Sequence, residues 1–408
     1  MILAALALMV LIGLLSRVAW PSPQRPVVTT TPLATLESST TTALTPTSSF
    51  TIYLPVTGGE DLTALPAEPT LAPTSEPPTV APSPTPLPWP EPLAGQTSSK
   101  LGIHLTNNSD PYAMEFIRRV HPRIVKTIES LGWLSEVKTA SPNTVTIGRI
   151  YGQEETWVGT VDPIAAANAY VMNNLQTYRL NPGADYWESW NEYVINTPER
   201  VSWFTQFEAT RACTMQSQGF RAIVGNFGVG WPLTYQDMES FLPALEAAQR
   251  CGGIFGLHEY NSPTFQCGVD RNVTGIIPGA PFLGDIPVGY RTLRYRLWYE
   301  GLLKPRGLGD LPLALTEVGI SGEPPGGPCN DPGSNGAWKG YQNWWVQQGF
   351  GPNGPQAYVN LLAWYDAELR KDPYVIGATI FTAGSGWDDF NIHDILIPLA
   401  HYEVGLGN

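Results

Sequence analysis

Two glutamates in this chain each close a short apolar run: Glu192 ends the stretch that begins at Tyr186, and Glu317 sits near the end of Leu313 to Val318. A carboxylate carried into an apolar setting costs free energy unless a partner or a reaction holds it there. Two such groups facing each other can divide the work of breaking an acetal bond. One protonates the departing oxygen while the other attacks the carbon it leaves. The expected division gives Glu192 a raised pKa in its pocket, as acid and then base, with Glu317 ionised as nucleophile.

These side chains need elements to aim them. Short apolar runs fall at Leu101 to Thr106, Arg123 to Thr127, Thr144 to Arg149, Tyr186 to Asn191, Arg221 to Asn226, Ile254 to Tyr260, Leu313 to Val318 and Ile376 to Phe381. Helical periodicity separates them at Tyr112 to Val120, Pro163 to Arg179, Pro198 to Gln218, Gln236 to Arg250, Tyr290 to Leu303 and Gln356 to Lys371. The link around Trp133 to Val137 is short, and the eighth helix is reduced to Ile395 to Val404. Asp162-Pro163 and Thr197-Pro198 mark helix starts with an N-cap acceptor ahead of a proline. Eight strand-helix units specify an α/β fold, a (β/α)8 TIM barrel over residues 100–408, with reactive groups at the C-terminal strand ends. No G-x-G-x-x-G or P-loop follows a strand, so the open nucleotide-binding sheet has no support.

The strand ends are polar: His104 on the first, Arg149 on the third, Trp190-Asn191-Glu192 on the fourth, Asn226 on the fifth, His258-Glu259-Tyr260 on the sixth, Thr316-Glu317 on the seventh, and Thr382 followed by Trp387 on the eighth. This order resembles clan A of the glycoside hydrolases, retaining (β/α)8 enzymes, over roughly residues 100 to 390. It rests on four short motifs, none specific alone. The resemblance implies acid/base Glu192, nucleophile Glu317, Asn191 against the sugar 2-hydroxyl, and Tyr260 steadying the nucleophile, with His258 on the same wall. His104, Arg149, Asn226 and Trp387 complete the expected substrate-binding set. Two positions depart from the clan. Lys126 stands at the end of strand two where members usually carry arginine, Arg149 appearing one strand later, and Tyr193 follows Glu192 where several families have proline. The family is therefore unresolved.

Other residues have blander readings. Glu188 is expected on the wall or rim, and Glu259 as a hydrogen-bonding group behind the site. The five histidines, His104, His121, His258, His393 and His401, show no H-E-x-x-H or similar spacing, so no metal or cofactor is expected. Among the tryptophans Trp387 is the best candidate for stacking on a pyranose face, Trp231 is evenly balanced, and Trp187, Trp344 and Trp345 read as packing. Four cysteines allow three pairings, and position favours Cys213 with Cys251 on the outer ring and Cys267 with Cys329 across the loops after strands six and seven. Those loops, Asn261 to Pro287 and Ser321 to Gly351, are rich in Gly and Pro and are expected to wall the cleft.

The 408 residues carry 36 Asp+Glu against 23 Lys+Arg, a net charge of −13, which leaves no basic field for nucleic acid. Ile2 to Leu15 form an apolar run, shorter than the roughly 20 residues a membrane span needs, and read as a signal peptide or N-terminal anchor within residues 1–20. Residues 21–99 hold seventeen of the 39 prolines and Arg25 as their one basic residue, and read as a disordered Pro/Thr/Ser-rich tether. Leu54 to Gly58 has the form of a sorting signal but lies far from the C-terminus, and chance explains it. The expectation is an exported monomer at the cell surface or outside the cell, with a carbohydrate partner and a possible membrane tether through residues 2–15. A carbohydrate-binding barrel without turnover and a transglycosylase are the alternatives, and sugar, linkage and endo or exo action are not legible.

Overall fold

In a computed structural model the described residues are 87–152, 160–270 and 277–407. The apolar run at 2–15, the Leu54 to Gly58 motif and most of the tether lie outside them. Eight parallel strands form one sheet: β1 (Leu101–Leu105), β2 (Ile124–Thr127), β3 (Val145–Gly148), β4 (Tyr186–Trp187), β5 (Ile223–Phe227), β6 (Ile254–Asn261), β7 (Leu313–Ile320) and β8 (Val375–Ala383). Their order is β4-β3-β2-β1-β8-β7-β6-β5, and a parallel bridge between Trp187 and Ala222 closes the ring. This is the (β/α)8 barrel that the clan A resemblance implies.

The outer helices are α1 (Ala113–Val120), α2 (Trp133–Ala140), α3 (Pro163–Leu180), α4 (Pro198–Ser217), α5 (Tyr235–Ser240), α6 (Leu242–Arg250), α7 (Tyr295–Trp298, continuing as a π-turn over Tyr299–Leu303), α8 (Trp338–Gln347), α9 (Gly354–Leu369) and α10 (Leu396–Gly405). The caps act as their sequence requires: Asp162 accepts from the Ala165 N–H at 2.9 Å, and Thr197 from Arg200 at 3.3 Å. Pro243 lies in the first turn of α6, and the helix expected over Gln236 to Arg250 divides at Phe241. The expected start at Tyr290 is also too early, because Leu293 takes a left-handed backbone and helix begins at Tyr295. α8 lies inside the stretch expected to be a cleft loop. Trp338, Tyr341 and Trp345 recur at helical spacing and bury one face, a pattern hidden by Gly340 and the flanking Gly/Pro.

Inside the barrel, Ile124, Ile147, Ile223, Ile254 and Ala314 form an apolar floor. Side chains two residues further along a strand share its face, so Ile124 leads to Lys126, Ile147 to Arg149, and Ile254 through Gly256 to His258. On β7 that parity is broken. Gly256 pairs with Ala314 but His258 pairs with Glu317, so one extra residue is accommodated and Glu317 turns inward where simple alternation would send it out. Such bulges re-aim a side chain beside a site. On β5 a shift between Gly225 and Phe227 swings Asn226 against Gly256, where a Cβ would stand 2.3 Å from its oxygen.

The seam between β4 and β5 has little ladder. Buried Arg211 on α4 spans it, donating to the carbonyls of Trp187 and Ile223, and Glu208 holds the guanidinium at 2.7 Å. Both expected disulfides, Cys213–Cys251 and Cys267–Cys329, are present.

The domain boundary expected at Lys100 needs correction. Residues 87–99 pack along α1 and α10 as a strap: Trp89 meets Tyr112 edge-on at 5.5 Å, the Leu93 N–H donates to Arg119 O at 2.8 Å, and the Thr97 hydroxyl donates to Glu403 O at 3.2 Å. Proline and serine content in these residues masks these three anchoring contacts. A chain that begins at Lys100 is expected to lose about 2–4 kcal/mol against one that begins at Pro86; chemical denaturation of the two, read by tryptophan fluorescence, checks this.

Candidate active site

Glu317 stands under the mouth of the barrel with 7% of its side chain exposed. Its oxygens have different company. Oε1 receives Lys126 Nζ at 2.9 Å and Arg149 at 3.0 Å, while Oε2 accepts from the Tyr260 hydroxyl at 3.0 Å and lies 3.7 Å from His258 Nδ1. Burial alone would raise the Glu317 pKa, but the charges of His258, Lys126 and Arg149 outweigh it and hold the group well below the usual carboxylate range. Burial pushes Tyr260 well upward, so it stays a hydroxyl donor.

Glu192 differs. Its side chain is 39% exposed, so it is not the enclosed acid expected from the sequence. It follows β4 with a left-handed backbone, φ 49°, and lies over Gly228, where a Cβ would come within 3.0 Å of its carboxyl carbon. His258 Nδ1 is 2.8 Å from Glu192 Oε1. That contact accommodates either ionisation state: a carboxylic acid donates to a bare ring nitrogen, and a carboxylate accepts from N–H. Glu192, His258 and Glu317 bring one ligating atom each within 4.8 Å of one another. Geometrically the three could approach a cation. Glu317, however, already has donors on both oxygens and two fixed cations beside it, which oppose a divalent ion.

The loop carrying Glu192 is seated by aromatic packing. Trp190 stacks on Phe207 at 4.4 Å and Tyr193 on Phe204 at 4.4 Å, so the residues either side of Asn191-Glu192 are clamped to α4. Arg149 donates to the Asn191 side-chain oxygen, which turns the amide NH2 away from the guanidinium, with no acceptor for it among the described residues. Arginine support for Glu317 thus comes from the end of β3, with Lys126 on β2 sharing it. The arginine that the clan carries on strand two is supplied here from strand three, and it lies on Glu317.

The other expected residues divide. His104 is fully buried and kept neutral by desolvation and by Lys126; its Nδ1 is 2.9 Å from the Thr382 hydroxyl and its Nε2 3.9 Å from Glu317. Asn226 is also fully buried, with no partner for either amide atom among the described residues. Trp387 is 46% exposed beside Phe381 and Phe390. Glu188, expected at the wall or rim, is buried inside, with Lys126 Nζ at 2.8 Å from Oε2. Glu259 points to the outside of β6, accepting from the Leu293 and Tyr295 N–H groups and the Tyr365 hydroxyl, and so anchors the segment before α7. Phe381 was missed. It lies 4.9 Å from the His104 ring and 6.2 Å from Tyr260, an apolar wall beside Glu317, and its signal was its place at the end of the eighth run.

No family model matches the sequence, and no curated protein matches it. Solved structures do. An endo-1,4-β-D-mannanase from Thermotoga petrophila RKU-1 is similar at 10% identity and TM-score 0.43, over 75% of this chain and 99% of that one. A GH128 endo-β-1,3-glucanase from Sorangium cellulosum is similar at 13% identity and TM-score 0.37, over 73% and 97%. A GH2 β-galacturonidase from Eisenbergiella tayi is similar at 11% identity and TM-score 0.38, over 70% of this chain but only 43% of its own length. These are likenesses of general architecture; the chemistry of the site follows from its own geometry.

Glu259 gives a pH dependence. Burial lifts its pKa to about 7 despite the hydrogen bonds it accepts from Tyr365 and the backbone of 293–295. A folded-state value above the unfolded one means the folded chain keeps a proton that the unfolded chain releases. The associated stability is fully present below about pH 4.5 and disappears as pH rises through about 7, a difference of about 3 kcal/mol. Glu259→Gln should flatten that part of the stability profile, as measured by melting temperature between pH 5 and 8.

Proposed function

We propose that the chain is a retaining glycoside hydrolase that cleaves β-linked O-glycosidic bonds in an extracellular polysaccharide or oligosaccharide. The observation that carries this reading is the carboxylate pair: oxygens of Glu192 and Glu317 within 4.8 Å, one group partly open to solvent and the other enclosed by cations. Retaining enzymes hold their carboxyl groups about 5–5.5 Å apart, and inverting ones about 6.5–9.5 Å to admit a water.

In the first step Glu192 gives its proton to the glycosidic oxygen while a Glu317 oxygen attacks the anomeric carbon, and the aglycone leaves as an alcohol. Lys126, Arg149 and the Tyr260 hydroxyl keep Glu317 ionised and fix its orientation. In the second step Glu192, now a carboxylate, takes a proton from water as that water attacks the same carbon, freeing Glu317. His258 accompanies Glu192 through both states. The Asn191 amide donates to the sugar 2-hydroxyl, and Trp387 with Phe381 offers apolar faces to the pyranose ring. Two disulfides suit an oxidising compartment and support export. Among the described residues no helix is long and apolar enough to cross a membrane.

The test is a screen of the full chain against β-glucans, mannans, galactans and peptidoglycan, following new reducing ends. Glu317→Gln and Glu192→Gln should each lower turnover on the substrate found by about two to four orders of magnitude. In Glu317→Ala, azide should yield a glycosyl azide of inverted configuration, read by NMR. Hydrolysis that survives both glutamine substitutions would place the chemistry elsewhere.

A further inference from the structure

Glu188 is a buried carboxylate the reaction does not use. Among the described residues its close partner is the Lys126 ammonium, 2.8 Å from Oε2, with Arg149 at 3.9 Å, and no other donor reaches either oxygen. The same ammonium is 2.9 Å from Glu317. All three side chains are at most 7% exposed. A buried ion pair is seldom retained for its own stability, and this one shares its cation with the proposed nucleophile.

We propose that Glu188 is a positioning residue: it holds Lys126 between two carboxylates and so limits how strongly the lysine holds Glu317. This rests on the reading of Glu317 as nucleophile. A nucleophile held too tightly by cations keeps its charge but loses its readiness to share an electron pair; one held too loosely takes up a proton. With Glu188 present, the two permanent cations, Lys126 and Arg149, face two anions. The other titratable groups around Glu317 are His104 from β1, His258 and Tyr260 from β6, and Glu192 from the loop after β4. On β5 the buried polar residue is the uncharged Asn226, and on β8 Thr382 bonds His104. None of them stands between Lys126 and Glu188.

The test follows kcat/KM against pH for the full chain on a panel of p-nitrophenyl β-glycosides, comparing wild type, Lys126→Met, Glu188→Gln and the double variant. Glu188→Gln should lower the acid limb, because the lysine then serves Glu317 alone, and Lys126→Met should raise it by about one pH unit, because Glu317 loses a cation. In the Lys126→Met background Glu188→Gln should move the limb much less than it does in wild type. An equal shift in both backgrounds, or none in wild type, overturns the proposal. Should the wild type hydrolyse nothing, the reaction assigned above fails instead, and titration of the residue-317 carboxyl by 13C NMR, identified by its loss in Glu317→Gln, makes the same comparison without turnover. Should Lys126→Met not fold, Glu188→Gln alone should leave residue 317 ionised to lower pH than wild type, with Glu188→Asp close to wild type; an unchanged midpoint in Glu188→Gln is the overturning result.

Discussion

An anion withdrawn from water as far as Glu317 is costs several kcal/mol unless other charges replace the solvent. Here the replacement is a lysine, an arginine and a phenol from three different strands or strand ends, all directed at one carboxylate. The interior of the barrel above its isoleucine floor is organised around this requirement. Lys126 needs Glu188 as its second anion, Arg149 has Asn191 as its second acceptor, and neutral His104 fills the space beneath without adding charge.

The same arrangement separates the two glutamates. Glu317 is fixed by cations in a dry setting, whereas Glu192 stands at the water boundary with a histidine that can take either side of a hydrogen bond. Backbone irregularities produce the difference as much as side chains do. The extra residue in β7 turns Glu317 inward, and the left-handed turn at Glu192, with room left by Gly228, brings the second carboxyl to meet it.

Much of this was legible in the sequence, since the eight apolar runs locate the eight strands and the polar strand ends name the glutamates, Arg149, His258 and Tyr260. What was hidden has physical causes. Alternation places a residue on a face only while the strand is regular, so the inward turns of Glu317 and Asn226 depended on bulges. The burial of Glu188 followed from its distance to Lys126, a contact across strands that spacing along the chain cannot express. The strap at residues 87–99 and the helix at Trp338 were concealed by composition, because a few well-placed tryptophans and leucines outweighed the prolines and glycines around them.

β4 is the shortest strand, with two residues, and β7 has eight. Glu192 hangs from the first and Glu317 from the second. Thermal breathing of the ring should concentrate where pairing is thinnest, at the seam that Arg211 spans, leaving the opposite wall comparatively still. In the two-step reaction proposed, the group on the quiet wall bonds to one carbon throughout, while the group beside the seam must face an outgoing alcohol and then an incoming water. The uneven ladder thus gives positional tolerance to the carboxyl that changes partners and denies it to the one that does not.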